Sequence, residues 1–183
     1  MKTILRVPTP NGDVDVEVEI NESEFAKLAA AGFTQVATKT GYERVNMADD
    51  YYYETSAGDI NRYSEGHCAV DNKLYETANY YSCEIVANNN ARADRLMRQL
   101  RRFAVEHREH GIDWKDSYQT KWSIGFEYIY NKLYACNKLC SREFGATYFD
   151  SQEAAQAAID AFYVELNWYF TKYKDSLWGY YER

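Results

Sequence analysis

TYFDSQEAAQAAIDAF, residues 147–162, reads as a strand with paired aromatic rings, a polar cap and a long amphipathic helix. Asp150 followed by Glu153 has the spacing of a capping box. Ala155, Ala158, Ile159 and Phe162, continued by Leu166 and Phe170, recur at helical spacing and mark one buried stripe. An earlier stretch, NYYSCEIVANNNARAD at residues 79–94, repeats the order of aromatic strand, polar cap at Ser82, glutamate and helix. Its stripe runs through Leu96, Leu100, Phe103 and Ala104, and Gly111 is expected to end it near His110. Leu100, Phe103, Ile159, Phe162 and Leu166 are the expected core.

Tyr-rich extended chain precedes each helix. Tyr51–Thr55 and Ile60–Tyr63 flank a turn at Ser56–Asp59, with an irregular stretch to Thr77 and a short strand at Asn79–Tyr81. Trp122–Tyr130, Lys132–Cys136 and Phe144–Phe149 read as strands before the second helix. A shorter unit opens the chain. Val14–Ile20 alternates β-branched residues with acids, Thr3–Val7 is its partner, and Asn11-Gly12 signals the hairpin. Asn21 or Ser23 caps a helix through Phe25, Leu28 and Ala29 that ends at Gly32, and 33–46 reads as extended. The expected fold is therefore α+β, made of repeated β-hairpin-plus-helix units whose short antiparallel sheets pack on two long helices. Residues 1–48 are expected to form an acidic hairpin and short helix and 49–183 a Tyr-rich body of two hairpin-helix units, either as two lobes or as one compact domain overall.

Composition is that of a folded globular chain: 46% hydrophobic and 27% charged residues over 183 positions are ample for a core without disulfides. The two prolines, Pro8 and Pro10, lie before the first turn, so no Pro-rich linker divides the chain. No run of about 18 apolar residues exists to span a bilayer, and the start resembles no signal peptide. A cytoplasmic location is expected, without membrane contact. Cys68, Cys83, Cys136 and Cys140 then read as free thiols.

Charge is unevenly spread. Residues 1–80 carry 7 Lys/Arg against 14 Asp/Glu, whereas 92–110 carry six arginines against three acids. Asp13, Asp15, Glu17 and Glu19 form a row at roughly 6.8 Å spacing along a strand, near the spacing of nucleic-acid phosphates. Such a row guards a sheet edge or attracts a basic partner. Asp49, Asp50, Glu54 and Asp59 form a second acidic set around the Tyr51–Tyr53 hairpin. Arg95, Arg98 and Arg102 lie on the helix face away from Leu96 and Leu100. They form either a solvated face paired with Asp94 and Glu106 or a grip for nucleic acid.

Motifs for catalysis are missing: there is no phosphate-cradling glycine loop, no G-x-S-x-G elbow and no H-E-x-x-H helix. His107 and His110 suit the last helical turn, where cations oppose the helix dipole. A zinc set of His107, His110, Cys136 and Cys140 has C-x₃-C spacing in place of the usual C-x₂-C, and buried thiols fit better. No metal or cofactor is expected, and the chain reads as a non-enzyme.

DYYYETSAGD, DNKLYETANYY, RADRLMRQLRRFA, HGIDW and FGATYFDSQEAAQAAIDAF resemble segments of a group of small proteins encoded by phages and prophages of Gram-positive bacteria. The shared elements are a Tyr-rich hairpin, an N-x-[YF] strand leading into a helix, and a closing YF-x-S-x-E strand and helix, spanning about residues 50–172. With its acidic amino-terminal hairpin the chain is also similar to type II-A anti-CRISPR proteins of gut Clostridia. That resemblance implies a non-enzymatic inhibitor binding Cas9, or Cas9 with its guide RNA, in the bacterial cytoplasm. The alternatives are a phage accessory protein binding nucleic acid through the Arg-rich helix and an enzyme without a recognised motif, such as a metal-dependent hydrolase. The resemblance carries no binding residues.

Overall fold

The computed structural model describes residues 2–10, 12–31, 33–36 and 40–173. The chain divides into two compact units, 1–43 and 44–183. In the first, β1 (Lys2–Val7) lies between β2 (Val14–Glu19) and β3 (Thr34–Val36) in an antiparallel sheet of order β2-β1-β3. Six consecutive pairs from Lys2↔Glu19 to Val7↔Val14 join β1 to β2. Gly12, in the connection, holds a left-handed φ of +113°, and its N–H bonds the Thr9 carbonyl at 3.1 Å. Asn11 and Gly32 lie outside the described residues. Helix α1 (Glu22–Ala30) starts at Asn21, whose Oδ1 accepts from the Glu24 N–H while Glu24 Oε2 accepts from the Asn21 N–H, both at 2.9 Å. Among the described residues of 33–46 only β3 is strand, and residues 37–39 of that expected extended segment lie outside the described residues.

The second unit begins with Arg44. β4 (Asp50–Glu54) and β5 (Ile60–Ser64) form the Tyr-rich hairpin, and Gly58 makes the turn at φ +89°. Residues 79–81 are no strand, since Tyr81 makes a single antiparallel bridge to Tyr52. Beside it the Asn79 amide imitates a further rung: it accepts from the Glu54 N–H at 2.7 Å and donates to the Glu54 carbonyl at 2.8 Å. The stretch expected to be irregular contains α2 (Ala69–Glu76). It escapes hydrophobic periodicity because its one buried side chain is Asp71.

Helix α3 (Glu84–Glu106) buries Val86, Ala87, Ala91, Ala93, Leu96 and Leu100. Its N-cap is Cys83 in place of Ser82, and it stops at His107, ahead of Gly111. Nδ1 of His107 meets the Phe103 carbonyl at 3.0 Å, so the expected C-terminal role belongs to His107. Helix α3 packs on β4 and on α4 (Gln152–Ala161). The third sheet, in order β7-β6-β8, comprises β6 (Lys121–Glu127), β7 (Lys132–Lys138) and β8 (Tyr148–Phe149). Only Tyr148 and Phe149 of the expected 144–149 strand pair with β6.

Only one of the two expected long helices is continuous. At Phe162 (φ −116°, ψ 21°) the second breaks into α4 and α5 (Tyr163–Trp168), followed by a π-helical turn at Tyr169–Tyr173. The sequence after Ala161 is crowded with aromatic residues of modest helix propensity. Packing then dictates its path: Phe170 stacks on Phe126 at 5.3 Å, and Phe162 meets Phe103 edge-on at 5.6 Å. Leu100, Ile159 and Leu166 are buried as expected, whereas Phe103 and Phe162 are only half-buried. Truncating Phe162 to alanine is therefore expected to cost about 2 kcal/mol, roughly half the loss for a fully buried phenylalanine, measured by urea unfolding.

Candidate interaction surfaces

Along β2 the carboxylate row is real and outward: Asp13, Asp15, Glu17 and Glu19 are all exposed. It is partly answered within the sheet. Arg6 reaches across from β1 and grips Asp15 with both arms, at 2.9 and 3.1 Å, and this hydrogen-bonded pairing lowers the Asp15 pKa while raising that of Arg6. On the opposite face of the strand, Val14 and Val16 keep 50% and 39% of their surface exposed. The edge thus offers acids on one face and uncovered valines on the other.

The second acidic set is not a patch. Asp50 pairs with Arg62 across the hairpin, Asp49 accepts from the Asn46 amide at 3.1 Å, and Glu54 binds Arg98 at 3.0 Å. Asp59 stays exposed at the turn. The acids and the arginines, separate surfaces in sequence, therefore meet. Arg95 donates to the Gly58 carbonyl at 3.2 Å, and with Arg98 and Glu54 it lines an open polar hollow of about 550 Å³.

Other arginines of α3 are similarly engaged. Arg102 lies 3.7 Å from Glu106, and Arg92 binds Glu165 at 2.7 Å with its guanidinium 4.0 Å from the Trp168 ring centre. Asp94, expected to pair with Arg98, instead has its pKa raised, first by burial and then by Glu54, with Arg98 and Arg101 opposing. Gripping nucleic acid with Arg95, Arg98 and Arg102 would require breaking contacts each already makes.

The most ordered chemistry in the second unit is a buried network without a motif in the sequence. Glu65 and Asp71 are buried, as are Tyr51 and Tyr80, whose rings stack at 4.1 Å. Arg44 holds both Glu65 oxygens at 3.0 Å, and Glu65 also accepts from the Tyr80 hydroxyl at 2.7 Å and the His67 N–H at 2.7 Å. Asp71 accepts from the Tyr51 hydroxyl at 2.8 Å and from the N–H groups of Gly66 and Cys68 at 2.9 and 3.0 Å.

Arg44 is the main cause of the lowered Glu65 pKa. For Asp71, burial pushes the pKa up, but the amides and the Tyr51 hydroxyl outweigh it and hold the carboxyl below its ordinary value. Burial and the neighbouring carboxylates raise both phenols, Tyr80 to about 12. Donors thus meet all four carboxylate oxygens, and the phenols keep the protons they donate. This arrangement fastens β4, the 65–68 loop and α2 together, and at its rim the half-exposed His67 ring brings Nδ1 within 3.5 Å of Glu65 Oε1. The signal available in sequence was local: Asp71 stands three residues after Cys68, the spacing by which an N3 acid reaches back to an N-cap amide.

Among the described residues no three His, Cys, Asp or Glu side chains gather closely enough to hold a metal ion, and the set His107, His110, Cys136 and Cys140 is not assembled. All four cysteines are free thiols, but none is buried as expected: Cys68 and Cys140 are exposed and Cys83 and Cys136 only partly covered. An apolar cleft of about 220 Å³ lies between α3 and the 143–147 loop, lined by Leu96, Ile124, Leu166 and Phe170 among others. Among the described residues no helix is long and apolar enough to cross a membrane. No family model matches the chain, and no curated protein or solved structure matches it either.

Proposed function

We propose that this protein is a non-enzymatic inhibitor that acts by binding a basic, nucleic-acid-handling partner, and that this partner is a type II-A Cas9, alone or with its guide RNA. The observation that carries the proposal is the exposed row Asp13, Asp15, Glu17 and Glu19 along β2 and the residue before it. Cas9 holds nucleic acid in positively charged channels and reads the motif beside its target with arginines. A row of carboxylates on a fixed backbone competes for such a channel without the entropy cost of ordering a flexible tail. The full chain, at net charge −7, is steered toward it as well. The resemblance to phage-encoded proteins and to type II-A anti-CRISPR proteins supports Cas9 as the basic partner. The intramolecular contacts of Arg92, Arg95, Arg98 and Arg102 favour a protein partner over direct binding of nucleic acid.

Inhibition of target cleavage by guide-loaded Cas9 tests the proposal. Reversal of Asp13, Glu17 and Glu19 to lysine spares the Arg6–Asp15 pair, and it is expected to raise the inhibitory concentration at least about tenfold. Reversing the exposed acids Glu76, Glu153 and Asp160 should change it little. Binding should also weaken as salt rises. Cleavage unaffected by a large excess of the wild-type chain would remove Cas9 as the target, and equal losses from both sets would remove the acidic strand from the mechanism.

A further inference from the structure

Strand β2 is an outer strand, and its ladder in the sheet is the one with β1. An outer strand presents peptide donors and acceptors on its far side, ready to template another strand. Folded proteins usually block such edges with proline, a bulge, lysines or a covering element. β2 has no proline, its six pairs with β1 run without a bulge, and Val14 and Val16 are uncovered. Among the described residues its guard is the carboxylate row, and that guard is selective.

A second copy of this chain is a poor occupant. An antiparallel register of β2 against itself either sets acids opposite acids, so that like-charge repulsion opposes the valine contacts on the other face, or sets acids opposite valines on both faces. A strand alternating lysine or arginine with β-branched residues is complementary on both faces: its cations meet the exposed Glu17 and Glu19 beside the Arg6–Asp15 pair, and its aliphatic side chains cover Val14, Val16 and Val18. We propose that β2 is a strand-addition edge that captures an extended basic segment of a partner protein, with main-chain hydrogen bonds supplying affinity and alternating charge supplying selectivity. This deepens the acidic-edge reading but is independent of Cas9 as the partner.

Four synthetic peptides built from the same lysines and valines test it on the full chain: one alternating lysine and valine, one with the same residues in blocks, and two alternating peptides N-methylated at every second residue, one in each frame. The alternating peptide is expected to bind at least about tenfold more tightly than the block peptide and than one N-methylated frame, and to slow amide exchange at 14–19. All variation lies in the peptide, so the protein's folding is never at issue. Equal binding by all peptides would reveal diffuse charge attraction and overturn strand addition. So would absence of binding, protection mapped elsewhere, or self-association through β2 in sedimentation. Cas9 inhibition, measured separately, distinguishes the two failures: inhibition without edge binding removes only the strand-addition mode, and edge binding without inhibition removes only Cas9.

Discussion

Replacing Asp71 with alanine is expected to destabilise the second unit by about 3 kcal/mol or more, among the largest effects of any single polar substitution in the chain. The side chain is fully buried, and its loss strands the Tyr51 hydroxyl and the Gly66 and Cys68 amides without their acceptor. Each stranded buried donor costs about 1 to 3 kcal/mol, relieved in part if water enters the gap. Removing the Tyr51 hydroxyl with phenylalanine costs less, because the Asp71 oxygen it leaves is one of two and the other keeps both amides. Urea unfolding followed by tyrosine fluorescence measures both changes.

The same network fixes a pH dependence. Asp71 and Glu65 have folded pKa values below their unfolded ones, so the unfolded chain takes up protons first as the solution is acidified. Their contribution is complete above the ordinary carboxylate range, roughly pH 4 to 5, and is lost as pH falls through the folded values. Tyr80 behaves in the opposite sense. With its pKa raised to about 12, its contribution is complete below the ordinary phenol value and is lost as pH rises toward 12. Wild-type stability should therefore fall steeply below about pH 4, and the Asp71→Ala chain should show a shallower acid limb because one of the two carboxylates is gone. Acid limbs of equal slope would mean that Asp71 is not the titrating group.

What was legible in the sequence follows from which forces leave a periodic trace. β2 alternates acids and valines, α3 repeats apolar residues at helical spacing, and both emerged where the pattern placed them. Helix α2 left no such trace because a carboxylate occupies its buried position, and the Glu65–Asp71 network gathers residues up to 36 positions apart, from Arg44 to Tyr80, through loops. Charge was legible as composition and not as surface. Six arginines in 92–110 suggested a cationic face, yet Arg92 and Arg98 find acids at Glu165 and Glu54 that are remote in sequence. The carboxylates of β2 stay outward because strand alternation alone commits them to one face, opposite the valines.

Ser151, not Asp150, caps α4, and the difference exposes the role of the 149–151 segment. Ser151 Oγ accepts from the Ala154 N–H at 3.2 Å, while Asp150 turns away and accepts from the backbone N–H groups of Glu109 and His110 just beyond α3. One carboxylate therefore ties the chain after α3 to the start of α4. Phe149 anchors this joint. It is almost completely buried, in the cluster with Leu96, Leu133 and Ile159, and it provides half of the two-residue ladder that joins β8 to β6. Phe149→Ala is expected to cost about 4 to 5 kcal/mol, at the upper end for a buried phenylalanine, because the site sits between a strand and two helices that cannot collapse onto the void. Phe149→Leu, which retains most of the apolar volume, should cost less than half as much. Hydrogen exchange locates the effect: amides of Glu109, His110 and Ala154 should lose protection together in the alanine chain, since Phe149 positions both of their acceptors. Loss of protection at Ala154 alone would confine Phe149 to helix capping and leave the link to the end of α3 held by other contacts.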